Sequence, residues 1–163
     1  MKKYLFTIVL FWIAGLAQAQ SVDDIFNEFK DEQSAEYVTL SPSMLMDQLS
    51  ANEGGAEVTN KVKPLVSSIT TMKVLSLENC SSDAKERFSK RINNLNTKGY
   101  ETLVRVNDSG EKVRILVKQK KSHISELLVI CVDKDDCVLI QMNGKIKKQD
   151  IDQLIGQQIN SKG

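Results

Sequence analysis

The sequence predicts an α+β domain: an antiparallel sheet built from consecutive hairpins, with helices packed on one face in two layers. Three observations carry this expectation. Beyond Tyr100 the apolar residues recur at a period of two, in runs separated by turn residues. Ahead of Tyr100 they recur at helical spacing behind serine and proline start signals. Hairpin-linked strands run antiparallel, and the stripe of an amphipathic helix must be covered by something.

The elements follow in order. Ser21 opens a helix with Asp23 and Asp24 in its first turn, where carboxylates suit the helix dipole. Val22, Ile25, Phe26 and Phe29 form its apolar stripe. Tyr37 to Leu40 reads as a short strand. Ser41-Pro42 is a serine cap followed by proline at the first helical position, with Leu45 and Leu49 on one face of the helix behind it. Asn52-Glu53-Gly54-Gly55 reads as a loop. Residues 59–69 are ambiguous, because Thr59 would cap a helix that Pro64 would interrupt. Thr71 to Leu77 is rich in strand formers. Asp83 and Glu86 make a capping-box pattern, Ala84, Phe88, Ile92 and Leu95 a stripe, and Gly99 a stop.

From there the hairpins begin. Thr102, Val104 and Val106 alternate with polar neighbours up to Asn107-Asp108-Ser109-Gly110, after which Val113, Ile115 and Val117 alternate in turn. A second hairpin joins Ser125–Val132 to Cys137–Met142 through Asp133-Lys134-Asp135-Asp136. Its strands are apolar on both faces, as befits strands at a sheet centre. Ile151, Leu154, Ile155 and Ile159 predict a last helix.

The helix at Ser21–Phe29, the segment Tyr37-Val38-Thr39-Leu40-Ser41 leading to Met44, and the closing Leu139-Ile140-Gln141-Met142-Asn143-Gly144-Lys145-Ile146 with Asp150-Ile151-Asp152-Gln153-Leu154 resemble an exported bacterial family catalogued as domain of unknown function 4252. The resemblance spans nearly the whole chain beyond its first residues. It implies a small envelope protein and assigns no catalytic residue. Many members carry a lipoprotein cysteine at the cleavage site, and this chain has none there.

The start of the chain agrees with such an address. Lys2 and Lys3, an apolar run from Leu5 to Leu16, and Ala17-Gln18-Ala19 form the pattern of a secretory signal peptide, cleaved after residue 19. Residues 20–163 then form a single domain in the periplasm or outside the cell, with no lipid anchor and no stable transmembrane anchor after processing. Removing Lys2 and Lys3 from the 22 basic residues leaves 20 against 21 acidic ones. That balance lacks the positive footprint of a nucleic-acid binder.

Each chemical motif reduces to a structural reading. His123 is the only histidine and has neither zinc-ligand companions nor a nucleophile motif. Asp133, Asp135 and Asp136 lack the glycine and distal glutamate of a calcium loop. Met44, Met46, Met72 and Met142 sit in apolar patterns that suit core packing. Lys112, Arg114, Lys118, Lys120 and Lys121 read as a solvated strand face that protects against edge pairing. No catalytic, metal-binding or cofactor-binding residue is expected.

Cys131 and Cys137 are a candidate disulfide. A three-residue loop would set them opposite one another, whereas a two- or four-residue loop would set Cys131 against Val138. The candidate interaction face comprises Leu103, Leu116, Leu127, Val129 and Leu139, with Cys131 beside them, on the side of the sheet turned away from the helices. The expected role is non-enzymatic: a module that binds another envelope protein or an apolar ligand. Alternatives are a thiol-redox or other small enzyme using Cys131 and Cys137, and a carrier of an apolar ligand or lipid.

Overall fold

The computed structural model describes residues 20–51 and 55–153, with side chains from Gln20 to Ala51 and from Val62 to Gln153. The expected leader at 1–19 and the expected helical positions Leu154, Ile155 and Ile159 lie outside the described residues.

Helix α1 (Val22–Phe29) begins at a reciprocal cap: the Ser21 hydroxyl accepts from the Asp24 amide at 3.2 Å, and Asp24 accepts from the Ser21 amide at 2.9 Å. Two otherwise orphaned amides are thereby satisfied. Strand β1 (Glu36–Leu40) and helix α2 (Pro42–Ala51) follow as the sequence predicts. Helix α3 (Gly55–Ser68) resolves the ambiguous stretch, because it runs through Pro64 into strand β2 (Ile69–Ser76).

Helix α4 (Ser82–Asn93) starts earlier than the Asp83 signal implies. Its cap is Ser81, whose hydroxyl accepts from the Ala84 amide at 3.2 Å. Asp83 and Glu86 instead pair one turn onward with Arg87 at 3.1 Å and Lys90 at 2.8 Å. The helix ends at Asn94, and Gly99, with φ +86°, serves the later loop into the sheet.

Strands β3 (Glu101–Asp108), β4 (Glu111–Lys120), β5 (His123–Val132) and β6 (Cys137–Ile146) form a meander. Ser109 and Gly110 both have positive φ, the backbone that a two-residue hairpin turn requires. All pairings are antiparallel, in the order β1-β2-β6-β5-β4-β3. The chain therefore places β2 beside β6 and uses α4 to cross to the far edge, where β3 begins.

Side chains alternate between the two sheet faces, and the faces differ. The first carries Leu75, Leu116, Leu128, Ile130 and Leu139, sealed by the stripes of α1 and α4. Phe29 and Phe88 meet edge to face there, 5.4 Å between centroids. Arg87 and Arg91 lock the two helices from outside, reaching Glu32 at 2.7 Å and Glu28 at 2.8 Å. The expected packing of helices on a sheet face is formed by this pair.

The second face is not bare. At one end Ile69, Val117, Ile124, Leu127 and Ile146 are buried with Leu45 of α2, Leu65 of α3 and Ile151 of a helical segment over 148–153. Helices thus reach both faces, and the two-layer reading extends to a third, partial layer. Gly144 permits the close approach of the α3–β2 junction. A Cβ there would overlap the Ser68 carbonyl oxygen and lie 2.9 Å from Ile69 Cα.

Candidate interaction surface

Beyond the cover of α2 and α3, the second face presents an ordered apolar ladder. Val38 pairs with Val74, Val74 with Ile140, Ile140 with Val129, Val129 with Ile115, and Ile115 with Val104. One β-branched residue from each of the six strands thus stands in a single cross-strand row. Branching at Cβ suits a pleated surface and stiffens the side chain, so the row is rigid. A second row, Val138, Cys131, Val113 and Val106, runs beside it. Every residue of both rows is half-buried or exposed, and Val38 and Val106 at the flanks are 42% and 43% exposed.

The residues expected on this face divide. Leu103, Leu127 and Val129 do lie on it, with Leu127 buried beneath the α2–α3 end. Leu116 and Leu139 do not. They are 2% and 0% exposed and belong to the core beneath α1 and α4. The register shift between Lys118 and Gln119, which sets Leu116 opposite Leu128 and not Leu127, explains the error at Leu116, and the loop between β5 and β6 explains the one at Leu139. That loop holds four residues, so Val132 pairs with Cys137 and Ile130 with Leu139, one step from the register that a three-residue loop would set. A one-residue slip exchanges the faces of a whole strand. Leu103 sits at a register shift between Thr102 and Val104, which brings Leu103 and Val104 to the same side.

The same loop separates the cysteines. Cys131 pairs with Val138 and shares the second face, while Cys137 is buried in the first-face core with Cys80. All three are free thiols. The candidate Cys131–Cys137 disulfide is thus incompatible with the register, since the two side chains leave opposite sides of the sheet. Burial pushes the Cys137 thiol up to about 11 and raises Cys80 and Cys131 as well. A thiol held protonated is a poor nucleophile. The Asp133 carboxylate is spent inside the loop, accepting from the amides of Asp136 and Asp135, which hold its pKa below the usual range.

The sequence also gave no warning of a polar cluster on the first face. Gln141, 5% exposed, donates through Nε2 to Glu126 at 2.7 Å, and its Oε1 has no hydrogen-bond partner among the described residues. Lys118 Nζ stands 3.3 Å from the other Glu126 oxygen and 4.4 Å from the Tyr100 ring centre. Burial, then Glu126, raises the Tyr100 phenol above its ordinary value. Tyrosine so placed holds its proton at neutral pH, which suits a structural tie better than general-base work. The run of basic residues found in the sequence is consequently broken up. Lys118 belongs to this cluster, Lys112 and Arg114 stand at the other end of β4, and Lys120 and Lys121 flank the β4–β5 turn.

No group of three or more metal-ligating side chains is assembled among the described residues, and no described helix is long and apolar enough to cross a membrane. The fold and surface define an α+β domain with one sheet face largely covered by α1 and α4 and one partly open apolar face. The chain belongs to the family described as Domain of unknown function (DUF4252), which it matches over residues 29–154. That span holds the entire sheet with α2, α3 and α4, and it bears out the resemblance read from the sequence. No curated protein and no solved structure matches the chain.

Proposed function

We propose that the protein is an exported, non-enzymatic binding module of the bacterial cell envelope, and that the open rows of the second sheet face hold another envelope protein. The observation that carries this reading is the ladder from Val38 to Val104: six β-branched side chains in register, none of them fully buried. A contiguous apolar patch in contact with water is unfavourable by about 25 cal/mol for each Å² left uncovered, and such patches mark interaction sites. An open sheet face of stiff side chains favours a protein surface over a small ligand, which seeks a concave pocket. The face beneath α1 and α4 offers no comparable apolar area, and Cys131 and Cys137 leave opposite faces of the sheet.

Site-specific photo-crosslinking in cells tests the reading. A crosslinker at Val106 should capture one defined envelope protein, and Val38→Lys should abolish that product while leaving the thermal midpoint unchanged. A crosslinker at Lys90, on the outer side of α4, should capture nothing specific. Equal capture from both positions, or a Val106 product indifferent to Val38→Lys, would overturn it.

A further inference from the structure

The last turns of α4 and the adjoining ends of β3 and β4 border a cleft of about 180 Å³ on the first sheet face, opposite the apolar ladder and with Val106 at its edge. Three cations enter it. Arg105 and Arg114 are directly opposed across the strands, and Lys112 belongs to the next pair, opposite Asn107. Opposed strand residues stand with Cβ atoms about 4.5–5.5 Å apart, and like charges so placed repel. The repulsion leaves a mark, for burial and the charge of Arg105 both lower the Arg114 pKa.

Nothing in the described structure neutralises these charges. Arg114 is half-buried and donates to the Ile92 carbonyl at 2.9 Å. Neither it, nor Arg105, nor Lys112 reaches a carboxylate among the described residues. The arginines on α4 behave otherwise, since Arg87 and Arg91 are both paired with glutamates of or just beyond α1. Ser89, Asn93 and Asn107 complete the rim with neutral hydrogen-bonding groups. A solvated strand face would spread its charges outward. Here all three line one space many times the ~10–15 Å³ that one water needs, the half-buried Arg114 beside the exposed Arg105 and Lys112.

We infer that this cleft is a binding site for a phosphate group, held by Arg105, Arg114 and Lys112. The planar forks of two guanidinium groups match paired oxyanion oxygens. Three positive charges offset a dianion, where a carboxylate would leave two of them uncompensated. A free phosphate ester supplies both charges itself, and an anionic membrane presents the same phosphate oxygens with one charge on each of several neighbouring headgroups.

Titration of the purified protein with inorganic phosphate at low ionic strength, followed through the amide NMR signals of Ser89, Asn93 and Asn107, tests the site. Saturable shifts are expected, absent with chloride at equal ionic strength. Arg105→Gln, an exposed substitution that breaks no ion pair, should weaken binding roughly tenfold, the loss of one charge-assisted contact. Lys120→Gln, outside the cleft, should leave it unchanged. Vesicles containing phosphatidylglycerol identify the source: capture that Arg105→Gln weakens assigns a headgroup, and phosphate binding without capture assigns a soluble ester. No saturable shift with phosphate, or equal weakening by Arg105→Gln and Lys120→Gln, overturns the proposal, whatever the vesicles do.

Discussion

Gly144 shows how a single position can govern a junction. It pairs with Ile69 where α3 turns into β2, and the space that a methyl would need is filled by the Ser68 carbonyl and Ile69 Cα. Both obstacles are backbone, so neither can rotate aside. Gly144→Ala should cost about 3 kcal/mol, the upper end of overpacking penalties, read from the urea midpoint. Cys137 makes a second prediction at this scale. Its thiol is pushed to about 11 by burial, against an ordinary value of 9.0. Below pH 9.0 both folded and unfolded chains hold the proton. Between 9.0 and about 11 only the unfolded chain releases it, so stability falls as pH rises through that window. Urea midpoints measured at about pH 8 and about pH 10.5 should show a drop that Cys137→Ala reduces.

At the scale of elements, caps and turns carry the argument. Ser81 satisfies an orphan amide of α4, and α4 covers much of the first face. Ser81→Ala should therefore lower stability by about 1 kcal/mol without altering the folded structure, as thermal unfolding and amide spectra would show. The sequence pointed instead to Asp83, since its spacing to Glu86 matches a capping box, whereas Ser81 has Ala84 three residues on and makes only the hydroxyl half of one. Local pattern favoured the wrong one of two polar candidates two residues apart, and the helix that docks Ala84, Phe88 and Ile92 onto the sheet begins from the other. The β5–β6 loop is the second case. Asp133 accepts from two backbone amides of its own turn, so its pKa is depressed. A depressed carboxyl contributes stability above its unfolded value of 3.8, and that contribution is lost as pH falls through the folded value. Asp133→Ala should flatten the acid limb of the stability curve below about pH 4.

For the molecule as a whole, the two sheet faces predict opposite responses to the same kind of change. Leu139, fully buried between the sheet and α1 and α4, should lose about 2–5 kcal/mol on truncation to alanine. Val38→Thr, on the open ladder at the edge of the sheet, should stay within about 0.5 kcal/mol. Denaturant unfolding of the two variants side by side checks the assignment of faces, and a large loss at Val38 would show that the ladder is covered. The anion cleft and the ladder lie on different faces of the sheet, so loss of one should leave the other intact.

The sequence by itself determined the kinds and order of most elements, the hairpin nature of the second half and the family. Those features rest on short-range regularities: periods of two and 3.6, capping serines, and turn residues that accept positive φ. What lay beyond it was anything set by register. Whether the β5–β6 loop closes over three residues or four costs the local chain little, yet it decides whether Leu139 meets the helices or solvent and whether Cys131 can face Cys137. The passage of α3 through Pro64 was likewise settled by what α3 packs against, as Leu65 reaches the second-face core. Arg105 and Arg114 lie nine residues apart in the chain and become neighbours only because β3 and β4 pair. Tertiary structure decided these points because burial rewards one pairing out of several that the local sequence tolerates equally.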